Sequence, residues 1–107
     1  MSTRYEDLFR SLHNRGEGAF VPFLMLGDPT PEHTLAIVRT VVAAGADALE
    51  LGVPFSDPVA DGPTIQASHL RALDGGATVD SALEQVRTIR AEFPELPIGM
   101  LIYGNVA

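Results

Sequence analysis

Three short apolar runs constrain this chain more than anything else in it: AFVPFLML at residues 19–26, ADALELG at 46–52 and PIGMLIYG at 97–104. Each is too short for a buried helix and is bounded by Gly or Pro, so each reads as a strand. The first, rich in Phe and Val, predicts a strand buried on both faces. Segments of helical spacing separate the runs. Strand, helix, strand, helix, strand in that order predicts a parallel sheet with right-handed crossovers.

The helical segments carry their own punctuation. Thr3 and Glu6 have capping-box spacing, and Tyr5, Leu8, Phe9 and Leu12 follow as an amphipathic stripe that stops near Gly16 and Gly18. Thr30 is placed to cap a second helix with Pro31 at its first position, Leu35, Val38 and Val42 on its inner face, and Gly45 at its end. Pro63 opens a third, with Ile65, Leu70 and Leu73 as its apolar positions and Gly75–Gly76 as its stop. Thr78 caps a fourth, with Val79, Ala82, Leu83, Val86, Ile89 and Phe93 at helical spacing.

Three parallel strands leave two apolar edges unpaired, which parallel sheets normally avoid. The expected architecture is therefore part of a larger α/β structure, either a doubly wound sheet or a β/α barrel. An eightfold barrel needs about 250 residues, so residues 1–107 would form a single incomplete barrel segment. The 14 acidic residues against 7 Lys and Arg argue against a nucleic-acid partner. The absence of Cys excludes a disulfide framework and a thiolate metal site. The charged first residues do not resemble a secretory signal, and no stretch is long enough to span a membrane, so the expected location is the cytoplasm.

One acid is out of place. In ADALELG, alternation puts Ala48, Glu50 and Gly52 on one face and Leu49 and Leu51 on the other. The leucines suit a helix-covered face. Glu50 then faces the opposite side between two small residues, near the C-terminal end of its strand, where α/β enzymes build their sites. Two readings stand: an acid or base in catalysis, or one half of a structural ion pair. Asp57 and Asp61 follow in a proline-stiffened loop, where Asp beside Pro or Gly is also ordinary turn chemistry. Strand three repeats the alternation, with Gly99, Leu101 and Tyr103 sharing a face. His13, His33 and His69 lack metal-ligand spacing, and neither a P-loop nor a dinucleotide fingerprint is present.

Three blocks, GAFVPFLMLGDPTPE (18–32), GADALELGVPFSDPVADGPTIQ (45–66) and PIGMLIYGN (97–105), resemble the tryptophan synthase alpha chain family in sequence and order. The resemblance implies the N-terminal part of a (β/α)8 TIM barrel, with a short helix ahead of the first strand. It implies a lyase of tryptophan biosynthesis that cleaves indole-3-glycerol phosphate to indole and glyceraldehyde 3-phosphate by a retro-aldol step, without a metal or organic cofactor. The family's catalytic glutamate and aspartate fall on Glu50 and Asp61. Phe23, Leu101 and Tyr103 fall on positions that line the indole pocket. Pro54, Asp57 and Asn105 fall on the surface that docks a beta chain, which holds pyridoxal phosphate in an α2β2 heterotetramer. The family's phosphate-holding loops follow strands seven and eight, beyond residue 107. The resemblance thus implies that the 107 residues alone are inactive, or that they serve as a non-catalytic assembly fragment for the beta chain or the complementary barrel portion. Met25 stands where the family pattern leads one to expect Thr or Ile.

Overall fold

A computed structural model describes residues 4–16, 18–56 and 61–102. Its elements run α1 (Arg4–Arg15), β1 (Phe23–Met25), α2 (Pro31–Ala43), β2 (Leu49–Gly52), α3 (Pro63–Asp74), α4 (Val79–Glu92) and β3 (Ile98–Leu101). The three strands form one parallel sheet in the order β1-β2-β3. Register aligns Phe23 with Glu50 and Met25 with Gly52, and on the other side Glu50 with Gly99 and Gly52 with Leu101.

β1 is shorter than its apolar run, although hydrogen bonding to β2 extends past it. Asp47 N–H donates to the Phe20 carbonyl at 2.8 Å, Glu50 N–H to Pro22 at 3.0 Å, and Leu26 N–H to Gly52 at 3.0 Å. Burial on both faces is reached only at the end of the run: Met25 and Leu26, on opposite faces, are buried, whereas Phe23 and Leu24 are half-buried and Phe20 is exposed. Thr3, the expected cap of α1, lies outside the described residues. Of the α1 stripe Leu12 is buried while Phe9 remains exposed.

The main core forms where alternation requires it. Leu49, Leu51 and Val53 are fully buried against Val38 of α2 and Ala82 and Ile89 of α4, with Leu26 completing the cluster. α2 and α4 pack side by side over this face. Arg39 and Glu92 join them by a bidentate ion pair, with Nη2 to Oε1 at 2.8 Å and Nε to Oε2 at 2.9 Å. Thr78 caps α4 in a reciprocal pair with Ser81: each side-chain oxygen accepts from the other residue's backbone N–H.

α3 departs from the periodicity reading. Leu70 is exposed, and the helix buries Ser68, His69 and Ala72 instead. The two helices between β2 and β3 divide the work. α4 covers the leucine face, whereas α3 packs against β1, with Ala72 and Ala77 meeting Met25, Phe23 and Ile65. α3 can present a polar face because acids and a backbone N–H from neighbouring loops satisfy it. At its end Gly76 turns the chain with φ +99°, and the bare Cα of Gly75 lets the Pro29 carbonyl approach.

Leu51→Ala removes a fully buried side chain between α2 and α4. The expected loss is about 2–5 kcal/mol, read as a lowered midpoint in urea unfolding.

Candidate active site

The face opposite the leucines carries Phe23 and Met25 from β1, Glu50 and Gly52 from β2, and Gly99 and Leu101 from β3. Two glycines hollow it out. A Cβ on Gly52 would stand 2.8 Å from Phe23 Cζ and 3.1 Å from Met25 Sδ, so the bare backbone lets β1's side chains lean across β2. A Cβ on Gly99 would stand 2.6 Å from Glu50 Oε2 and 2.8 Å from Oε1. The Glu50 carboxylate therefore lies over the Gly99 backbone, half-buried, in space that any larger residue would occupy.

An open cleft of about 420 Å3 lies on this face at the C-terminal ends of the strands, between Phe23, Gly52, Leu101, Ile65, Asp61 and His69. Its lining is mostly apolar, with Asp61 and His69 as its polar groups. Phe23, Leu101 and Asp61 thus meet at one cleft, and Glu50 lies on the same sheet face one residue pair before Gly52. Tyr103, Asp57 and Asn105 lie outside the described residues. Pro54 is buried directly after β2.

Asp61 is held by two residues of α3. His69 Nε2 lies 2.9 Å from Asp61 Oδ2, and Gln66 Nε2 donates to the Asp61 carbonyl at 2.6 Å. On its other side the His69 ring accepts the Phe55 N–H at Nδ1, at 2.9 Å. Histidine spacing along the sequence carries no sign of this. The one available signal is that His69 falls four residues after Ile65, on the turn of helix that faces the loop.

Asp28, in the turn after β1, forms a second polar cluster. It accepts from Ser68 Oγ at 2.5 Å and from Arg71 Nε and Nη2, each at 3.0 Å. Burial alone would raise its pKa, but the hydrogen bonds from Arg71 and Ser68 and the charge of Arg71 outweigh burial and hold it below the ordinary aspartate range. Thr34 Oγ1 accepts the Gly27 N–H at 2.7 Å, which fixes the same turn from α2. Among the described residues no three His, Cys, Asp or Glu side chains are grouped to hold a metal ion. No helix among them is long and apolar enough to cross a membrane.

Parallel strands in chain order, with α2 and α4 over one face and Glu50 on the other, form a β/α segment of the kind from which barrels are built. Residues 9–107 match the family model described as tryptophan synthase alpha chain. The chain belongs to that family. It is 81% identical over 105 residues to the tryptophan synthase alpha chain of Corynebacterium diphtheriae, covering 98% of this chain and 38% of the relative. The crystal structure of tryptophan synthase subunit alpha from Legionella pneumophila superimposes with a TM-score of 0.91 at 37% identity, over 98% of this chain and 40% of that one. A chain of the Pyrococcus furiosus tryptophan synthase complex superimposes with a TM-score of 0.76 at 42% identity, over 83% and 36%. The chain thus spans about 38% of the length of the first of these relatives.

Two measurements test this geometry. Gly99→Ala forces the Glu50 carboxylate off its seat. The colliding atoms end a flexible side chain, so the expected cost is about 0.5–1.5 kcal/mol with a displaced Glu50 in a crystal structure. For Asp28 the lowered folded pKa means that its stabilisation is complete above the ordinary aspartate range and is lost as pH falls through the folded value. The stability gap between the parent and Asp28→Asn should therefore be largest near neutral pH and shrink in acid, as read by urea unfolding across pH.

Proposed function

We propose that these residues supply the two catalytic carboxylates of an alpha-type tryptophan synthase lyase, which cleaves indole-3-glycerol phosphate to indole and glyceraldehyde 3-phosphate. The observation that carries the reading is the seat of Glu50: a half-buried carboxylate over the bare Gly99 backbone, on the sheet face that leads to the Asp61 cleft.

The chemistry follows from the bond to be broken. Protonation of the indole ring carbon that bears the side chain turns the ring into a cationic iminium. Removal of the proton from the adjacent side-chain hydroxyl then forms the aldehyde, and the electrons of the breaking carbon–carbon bond return to the ring. Glu50 is assigned both proton transfers, since an acid in its protonated form can give the first and, once ionised, take the second. Asp61, accepting from the ring N–H, stabilises the positive charge that builds on the ring. Phe23 and Leu101, with Tyr103, would enclose the indole. No metal or organic cofactor enters these steps.

The proposed partner is a beta chain carrying pyridoxal phosphate, in an α2β2 heterotetramer in the cytoplasm. Asp57 and Asn105 would contact it, and the buried Pro54 would set the path of the docking loop. In the family the substrate phosphate is held by loops after the seventh and eighth strands. The 107 residues by themselves are therefore proposed to be inactive or nearly so. A second reading, an assembly piece for the complementary barrel portion or the beta chain, is favoured by the exposed Met100, Leu101 and Ile102 at β3.

Indole release from indole-3-glycerol phosphate tests both. A full-length chain, in which these 107 residues continue into the remainder of the Corynebacterium diphtheriae relative, is expected to release indole. Its Glu50→Gln variant should lose at least about 100-fold in kcat, the lower range of general acid–base catalysis, with the fold intact. Full activity in Glu50→Gln would overturn the assignment. Release by the 107 residues alone, abolished by Glu50→Gln, would overturn their proposed inactivity.

A further inference from the structure

Among the groups that the proposed chemistry does not use, His69 is the most constrained. Its side chain is 5% exposed, yet it lines the cleft. It bridges two parts of one loop: the Phe55 N–H meets Nδ1 at 2.9 Å, and Nε2 lies 2.9 Å from Asp61 Oδ2. These contacts determine the ring's protonation pattern. A backbone N–H can be accepted only by a ring nitrogen without a proton, so Nδ1 is bare and the ring proton sits on Nε2, donating to Asp61. From the same face of α3, Gln66 holds the Asp61 main chain through its carbonyl.

We propose that His69 is a positioning residue for Asp61: as the Nε2–H tautomer, set by the Phe55 N–H, it orients the Asp61 carboxylate at the cleft. This rests on the assignment of Asp61 to the indole N–H given above. Asp61 is itself 32% exposed and ends a loop. The imidazole is anchored in α3 and covered on nearly all sides, and its contact with Oδ2 narrows the rotamers open to the carboxylate before a ligand arrives. The Phe55 contact sets the tautomer and also ties the start of the loop to its end. An aspartate that must meet a developing charge gains most from such preorganisation.

The test uses the same full-length chain, assayed for indole release. His69→Leu is expected to lower kcat by about 10–100-fold, the scale of a misplaced catalytic group, with a much smaller change in KM. His69→Gln, whose amide N–H reaches toward the Nε2 position, should recover most of the loss, and His69→Asn, too short to reach Asp61, should not. Parent-like kcat in a folded His69→Leu overturns the proposal, as does equal loss in His69→Gln and His69→Leu. Should His69→Leu fail to fold, the 15N shifts of the His69 ring in the parent chain decide: a proton on Nε2 supports the proposal and a proton on Nδ1 overturns it. Asp61→Asn separates this inference from the reading beneath it. If Asp61→Asn keeps full activity, the role of Asp61 is wrong. If it is inactive while His69→Leu is parent-like, only the role of His69 fails.

Discussion

The burial of Leu49 and Leu51 against α2 and α4 is the constraint from which the rest of this structure follows. Both leucines are fully buried, and each such side chain contributes about 1.5–3 kcal/mol when removed from water. A slip of one residue in β2 would expose both and drive Glu50 into the apolar layer. The register of β2 is therefore set by hydrophobic burial on one face, and the position of the carboxylate on the other is its consequence. The acid needs no separate device to reach its place. Alternation delivers it, and the parallel neighbours Phe23 and Gly99 are brought beside it by the same register.

Space on that second face comes from what is missing. Gly99 leaves the seat for the Glu50 carboxylate, and Gly52 leaves room for Phe23 and Met25 to cross β2. The same arrangement divides the sheet into a face packed under α2 and α4 and a face that opens into the cleft. Stability is concentrated where helices cover the leucines. The cleft at the strand ends is bounded on one side by α3, whose inner surface is polar and small rather than leucine-rich.

That choice in α3 links the loops to the site. Ser68 and Arg71 hold Asp28 in the turn after β1, while Gln66 and His69 hold Asp61 in the loop after β2. One helix thus clamps two loops that are separate in sequence. Each buried polar group on it has an acid, a carbonyl or an N–H to meet, which is what makes a polar inner face tolerable.

The order of the elements, the parallel sheet and the facing of Glu50 were legible in the residues alone, because a strand's period of two needs no knowledge of its neighbours. The extent of β1 was not: hydrogen bonds to the neighbouring segment reach from Phe20 to Leu26, yet only Phe23–Met25 forms regular strand. The inward face of α3 was misjudged too. Periodicity counts apolar residues, and Leu70 and Leu73 outweigh Ser68 and His69 until the acids that satisfy the polar pair are known to be near. Family resemblance pointed to Glu50, Asp61 and the lining positions as candidates, but nothing in the spacing of three histidines distinguished His69. Local chemistry in the sequence determined which elements form and which side each residue takes. Only the tertiary structure decided which polar groups meet, because those partners lie in loops whose approach depends on how the helices pack.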